Sequence, residues 1–120
     1  MRTIKFRGKR LDNGEWVEGY YLRRADQTHY IVTMQPNEYG KVEYPVIQVD
    51  PNTVGQFTGV CDKNGKEIYE GDVVYIAGDG NTLIEFPFTD LYKALYHSDY
   101  GGDIGGIVGN IHDNPELINQ

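Results

Sequence analysis

Apolar and polar residues alternate with the two-residue period of β-strands over much of the chain. In the first such segment, residues 3–10, one face carries apolar residues and glycine while the other carries Lys5, Arg7 and Lys9. Because successive side chains of a strand point to opposite faces, this pattern predicts a half-buried strand. Similar patterns, rich in β-branched and aromatic residues, predict strands over 15–22, 28–34, 41–49, 56–61, 66–69, 73–77, 81–86 and 107–111.

Turn and cap residues separate these segments. Asn-Gly pairs at 13–14 and 64–65 predict two-residue hairpin turns, because both residue types tolerate positive φ. Asp50 is followed by Pro-Asn-Thr, which predicts one capped helical turn. The glycine- and aspartate-rich residues 98–106 predict a loop.

Two helical segments are expected near the C-terminus. Leu91 and Leu95 lie four residues apart behind a candidate N-cap, Thr89, and predict a short helix over 89–97. A final helical turn is expected at 115–118, after the capping residue Asn114.

These elements predict a mainly-β fold. Fifteen glycines and five prolines in 120 residues indicate many turns between short strands. We expect about eight strands in a small barrel or two packed antiparallel sheets with SH3-like character, plus the short helix and the C-terminal helical turn. The length suits a single domain over 1–120. The predicted core consists of Ile4, Phe6, Trp16, Val17, Tyr20, Ile31, Val46, Val54, Phe57, Ile68, Val73, Tyr75 and Ile107.

Composition points to the interior of a cell. The single cysteine, Cys61, cannot form a disulfide within the chain, which fits a reducing cytosol. The N-terminal residues lack the apolar run of a signal peptide, and no stretch approaches the ~18 apolar residues of a membrane helix. We therefore expect a cytoplasmic protein that has no membrane contact.

The segment Val49–Ala77 reads VDPNTVGQFTGVCDKNGKEIYEGDVVYIA. It resembles the signature of the YopX family, in which V-x-P-x-T-V-G-Q-[FY]-T-G precedes D-K-N-G-K-E-I-Y-E-G-D-[IV]-V. The opening Met1–Arg7 and the closing Gly109–Leu117 are also similar to that family. The resemblance implies a mainly-β protein of bacterial phages and prophages, acting in the host cell, with no established biochemical role to carry over. Because glycines of the block fall where strands turn, we interpret the block as structural.

No motif predicts catalysis, so no enzymatic activity and no cofactor are expected. The carboxylate that follows Cys61 raises the pKa of a thiol, which favours a packing role over a nucleophile. Glu67, Glu70 and Asp72 cluster in one hairpin, where solvated turn residues are the preferred interpretation over an acid–base pair.

Two loops carry residue types that occur in ligand sites. His97 and Asp99, with Asp103, have the donor types of a zinc or manganese corner, but a solvated acidic loop is preferred and no metal is expected. The glycine-rich residues 78–80 and 101–106 lack the lysine or following helix that phosphate sites use.

The most distinctive feature outside the predicted core is basic. The candidate binding residues are Lys5, Arg7, Lys9, Arg23 and Arg24. Basic residues interleaved with aromatics can bind single-stranded nucleic acid. The net charge of −7 disfavours that partner. We expect a non-catalytic module that binds a host or phage protein or itself. Nucleic-acid association is the alternative function. The interpretation without a function is that these residues form a solvated strand face.

Charge is divided unevenly along the chain. Residues 1–24 carry seven basic and three acidic residues, a net +4, whereas residues 25–120 carry four and fifteen, a net −11. Opposite charge on two segments favours contact between copies. We expect a homo-oligomer, in its simplest form a dimer, that involves the N-terminal strands.

Overall fold

The structure, a computed structural model, describes residues 4–96 and 103–117. The chain divides into two compact units, Met1–Gln56 and Phe57–Gln120, which are named the N-terminal unit and the C-terminal unit. The single domain expected from the sequence stays a prediction.

The N-terminal unit is built from short antiparallel strands. They are β1 (Phe6–Lys9), β2 (Trp16–Arg23), β3 (His29–Val32), β4 (Gln35–Pro36), β5 (Val42–Glu43) and β6 (Val46–Val49), followed by a 3-10 helix over Pro51–Thr53. The predicted cap is confirmed, because the Asp50 side chain accepts a hydrogen bond from the Asn52 amide. Strand β7 (Gly55–Cys61) begins in this unit and continues into the next.

The strands of the N-terminal unit lie in the order β6-β3-β2-β1, and β1 also pairs with the first residues of β7. One face of this sheet is the core face, on which Ile31 and Val49 are fully buried. Gly8 lies on this face too, since a Cβ there would stand 3.1 Å from the Val49 side chain. At the far edge Val49 bridges Arg10, so the sheet curls back towards β1.

The C-terminal unit combines β-strands with one helix. Its elements are the rest of β7, β8 (Glu67–Tyr69), β9 (Asp72–Ile76), β10 (Gly80–Leu83), α1 (Thr89–Tyr96), β11 (Ile104–Asn110) and a 3-10 helix over Pro115–Leu117. Strand β8 pairs with β7, and β9 lies between β10 and β11. Its core consists of Ile68, Val74, Ile76, Ile84, Phe88, Leu91, Ala94 and Ile104.

The predicted fold class is confirmed: the protein is mainly β, with antiparallel sheets of six, three and two strands and one α-helix among the described residues. No closed barrel forms in the part of the chain that the structure describes, so the barrel alternative is wrong. The described residues form eleven strands rather than eight. The loop predicted at 98–106 is also wrong in part, since β11 already begins at Ile104; residues 98–102 lie outside the described residues.

Several predicted core residues are exposed instead. Tyr20 and Val46 lie on the outer face of the curled sheet, and Trp16 is only half-buried there. Ile4 precedes the first strand and is exposed. Tyr75 is half exposed, whereas the other four residues of β9 are buried. Ile31, Phe57, Ile68 and Val73 are buried as predicted.

The hairpin between β7 and β8 tests one predicted turn. Gly65 has a φ of +83°, whereas Asn64 does not take positive φ. The Gly65 amide donates to the Asp62 carbonyl at 3.0 Å, and the Asp62 amide donates to the Lys66 carbonyl at 2.7 Å. The loop therefore has three residues and a left-handed glycine at its end, rather than the two-residue loop predicted.

Gly65→Val is expected to lower the free energy of unfolding by about 1–2 kcal/mol, because a branched residue is strained at this φ. An added Cβ meets no atom within 4 Å, so no steric clash contributes. Chemical denaturation measures the loss. Gly65→Asn, which tolerates the left-handed region, is the control and should cost less. An unchanged midpoint for the valine variant contradicts the turn geometry.

Candidate interaction surface

The outer face of the N-terminal sheet gathers basic and aromatic side chains. The register pairs Arg7 with Glu18 and Lys9 with Trp16 across β1 and β2, so these residues share one face. Together with Lys5, these four residues form a group that we call the basic patch: Lys5, Arg7, Lys9, Trp16 and Glu18. The sequence predicted the face of the three basic residues correctly, and the strand pairing adds the other two.

Trp16 lies at the centre of the basic patch. The Arg7 guanidinium carbon lies 4.4 Å from the Trp16 ring centroid, and the Lys9 ammonium lies 5.5 Å from it. Cations at these distances are attracted by the ring quadrupole, and the ring limits their freedom. The patch therefore presents two oriented positive charges around one aromatic ring.

Lys5 extends the patch along β1. Its ammonium lies 3.6 Å from a carboxylate oxygen of Glu18, whose side chain is 54% exposed. An exposed pair of this kind contributes little to stability. Glu18 does lower the positive charge of the patch, which carries three basic groups and one acidic group. Arg10 is directed elsewhere, since its guanidinium donates twice to Asp12 at 2.8 Å.

The structure separates the two remaining candidate residues. Arg24 follows β2, and its guanidinium carbon lies 4.6 Å from the Tyr30 ring centroid. Arg23 pairs with His29, whose ring stacks on Tyr21, so it belongs to the opposite face of the sheet. Arg24 therefore shares the outer face with the basic patch, and Arg23 does not.

Apolar side chains continue the outer face beyond the basic patch. Tyr20 is 70% exposed, and Leu22 and Val46 are also exposed. The sequence pattern predicts Tyr20 and Val46 in the core, which is wrong, and does not single out Leu22. The sequence signal for an exposed apolar face is in β2, where both faces carry large apolar residues. Only one of the two faces can be buried.

Among the described residues, the other candidate sites form no catalytic or metal-binding arrangement. Cys61 is exposed. His97 and Asp99 lie outside the described residues, and among residues 4–96 and 103–117 no group of three metal-ligating side chains occurs. Asp72 was predicted to be solvated, which is wrong: it is buried, and its carboxylate accepts a hydrogen bond from the Tyr69 amide at 2.8 Å.

Asp62 is a buried carboxylate that the sequence did not single out. One oxygen accepts from the amides of Asn64 and Lys66 at 2.8 and 2.9 Å, and the other from the amide of Ile107 at 2.9 Å. Burial alone raises the pKa of Asp62, but the hydrogen bonds from Ile107, Lys66 and Asn64 outweigh it and lower the pKa below its usual value. These contacts tie the hairpin loop to β11, which is a structural role.

The fold and the surface together define a class: a mainly-β protein whose N-terminal sheet exposes a basic and aromatic face. The family model described as YopX protein matches residues 5–119. The chain therefore belongs to the YopX family. No curated protein matches it. Among the described residues, no helix has the length and apolar character needed to cross a membrane.

Proposed function

We propose that this protein is a non-catalytic binding module that engages an acidic surface of a partner protein through the basic patch. The observation that carries the proposal is the arrangement of Arg7 and Lys9 around the Trp16 ring. Tryptophan and arginine are the residue types most often responsible for binding energy at protein interfaces. Held against a ring, the two cations lose less conformational freedom when a carboxylate binds.

The geometry favours carboxylates over a nucleic-acid strand. Stacking of bases needs accessible aromatic faces, whereas cations already lie over the rings of Trp16 and Tyr30. Glu18 stands within the patch with about half of its side chain exposed. A carboxylate there repels a continuous phosphate backbone, but a protein partner can place a basic group beside it.

The charge balance of the two units supports local recognition. Residues 1–56 carry eight basic and seven acidic residues, a net +1, whereas residues 57–120 carry three and eleven, a net −8. The acidity that disfavours phosphate at long range belongs to the C-terminal unit. The N-terminal unit is close to neutral, so its patch can attract an acidic group at short range.

The proposal includes a biological setting. We infer from family membership that the protein is encoded by a phage or prophage and acts in the cytoplasm of the bacterial host. Its partner is a host or phage protein, and the module performs no chemistry of its own. A nucleic-acid strand is the second candidate ligand, supported by the exposed Tyr20 ring beside the basic residues.

Lys9→Glu is expected to weaken binding of an acidic probe about tenfold, because it reverses one of the two charges at Trp16. The probe is a fluorescein-labelled peptide of alternating glutamate and tyrosine, and its anisotropy reports binding. Arg23→Glu makes the same charge change on the opposite face of the sheet and should leave the affinity within about twofold. Labelled oligothymidylate is titrated in parallel.

The outcomes separate the candidates. Peptide binding that Lys9→Glu weakens and Arg23→Glu spares supports the proposal. Tighter binding of oligothymidylate than of the peptide replaces it with the nucleic-acid function. Equal effects of the two variants contradict the assignment of the surface. Thermal melting of each variant confirms that it is folded.

A further inference from the structure

Strands β3 to β6 form one long hairpin whose outer half extends beyond the sheet. The pairing of β3 with β6 continues without a change of register into that of β4 with β5, where Gln35 opposes Glu43. Between them the Thr33 amide donates to the Pro45 carbonyl at 3.0 Å. We call the outer half, residues 33–45, the arm. Within the part of the chain that the structure describes, no third strand pairs with β4 or β5.

One face of the arm is apolar throughout. The register places three opposed pairs on the face that continues the outer face of the sheet. They are Val32 with Val46, Met34 with Tyr44, and Pro36 with Val42. We call these six residues the arm strip. Met34 is 71% exposed and Tyr44 is 62% exposed, while Thr33 and Pro45 on the other face are half-buried.

The arm strip leaves contiguous apolar surface in contact with water. A two-stranded hairpin without a packed face is marginally stable at best. With roughly half of each side chain exposed, the strip offers on the order of 400 Å² of apolar surface, the size of the largest apolar patch on a typical monomer, which is often a functional site. Covering it removes this surface from water and supplies the arm with the packed face that it lacks.

We propose that the arm strip is covered by the arm strip of a second copy of this chain, packed face to face around a two-fold axis. A two-fold interface needs a self-complementary patch, and the strip is uncharged along its whole length with side chains of different size in successive pairs. The proposal lies outside the basic patch and does not depend on its function. It also differs from the contact through the N-terminal strands that charge along the sequence favours.

Charge at the two ends of the strip selects the antiparallel arrangement. Arg24 stands over Tyr30, whose pair with Gln48 is the next pair on this face of the sheet below the strip. At the tip Glu38 is exposed, whereas Lys41 and Glu43 oppose Asn37 and Gln35 and therefore fall on the other face of the arm. A parallel arrangement brings Arg24 next to its copy and Glu38 next to its copy, which is repulsive. The antiparallel arrangement brings Arg24 of each copy to Glu38 of the other, which is attractive.

The size of the contact predicts a weak dimer. The strip supplies about half of the roughly 800 Å² per partner that a stable interface buries, and Tyr20, Leu22 and the end charges supply further contacts. Interfaces at this low end of the size range belong to weak or transient complexes, so we expect a dissociation constant on the order of micromolar. The dimer therefore dissociates on dilution.

The test is sedimentation velocity of the full chain over a range of concentrations spanning the micromolar region. Wild type is expected to shift from monomer to dimer as concentration rises. Met34→Lys is expected to weaken the dimer roughly 100-fold or more, because both copies bring a charge into the apolar centre. Gln35→Lys is the matched control: it adds the same residue at the next position, on the other face of the arm, and should leave dimerisation unchanged.

A charge-reversal pair tests the orientation. Arg24→Glu and Glu38→Arg are each expected to weaken the dimer several-fold, and the double variant to recover most of the loss. Wild type that stays monomeric at every concentration overturns the proposal, as does a dimer that Met34→Lys and Gln35→Lys affect equally. A dimer sensitive to Met34→Lys without recovery in the double variant overturns the antiparallel arrangement. Lys9→Glu should not alter the dimer, which keeps this result separate from the test of the basic patch.

Discussion

Gly19→Ala is expected to lower the free energy of unfolding by about 3 kcal/mol or more. Gly19 lies in β2 on the core face of the sheet. A Cβ there would stand 2.1 Å from the carbonyl oxygen of Val32 and 3.2 Å from the Ile31 side chain. Because the first of these atoms belongs to the backbone of the paired strand, the clash is relieved only by separating β2 from β3.

Gly40→Ala is the matched control for this prediction. Gly40 lies in the tip of the arm with a φ of +77°, and an added Cβ there meets no atom within 4 Å. Its cost is backbone strain alone, about 1 kcal/mol. Urea denaturation followed by circular dichroism measures both variants. If the two lose the same stability, close approach of β2 to β3 at Gly19 is contradicted.

Asp62→Ala is expected to cost about 3 kcal/mol, because three backbone amides lose a charged acceptor. Two of these amides shape the hairpin loop, and the third is that of Ile107 in β11. Asp62→Asn should cost less, since its remaining oxygen can still accept from the loop while its amide nitrogen cannot accept from Ile107. Asp79→Ala removes the same charge from an exposed turn and should be close to neutral.

The same carboxylate makes stability depend on pH. Because the pKa of Asp62 is lowered in the folded protein, its contribution is fully present above the pKa of an unfolded aspartate, about 3.9. The contribution is lost as the pH falls through the lower pKa of the folded state. The difference in stability between wild type and Asp62→Asn should therefore shrink below about pH 4. A difference that stays constant to lower pH contradicts the hydrogen-bonding role of the charged form.

The alternation of β1 could be predicted because its two faces differ in chemistry. Basic residues occupy one face, and Phe6 and Gly8 the other. In β2 both faces carry apolar residues, with Val17 and Tyr21 inside and Trp16 and Tyr20 outside. A pattern that is apolar on both faces cannot indicate which one is buried, because that depends on strand pairing. For this reason the predicted core contained residues from the outer face.

Contacts between distant residues explain the remaining errors. Asp62 and Ile107 are 45 positions apart in the chain, so no local motif reveals that the carboxylate is buried. Ile104 belongs to β11 through its pairing with Ile76, although its neighbours in sequence are glycine and aspartate. Local composition favours a loop there, and pairing with β9 outweighs that preference.

The candidate surface was predictable in its charges but not in its extent. Lys5, Arg7 and Lys9 share a face because they alternate within one strand. Arg23 and Arg24 are adjacent in sequence, so in an extended strand they point to opposite faces, and the period-two rule alone separates them. The arm strip follows from the same rule applied to 32–36 and 42–46 once the two segments are known to pair.

The central claim, that the basic patch binds an acidic protein surface, has a reporter within the site. Trp16 is the single tryptophan of the chain, and its ring lies beneath Arg7 and Lys9. A titration of its fluorescence with the unlabelled glutamate–tyrosine peptide, excited where tyrosine does not absorb, is therefore the most direct measurement. The account predicts a saturable change in Trp16 emission that weakens as salt rises. Emission that the peptide leaves unchanged, while oligothymidylate shifts it saturably, contradicts the claim.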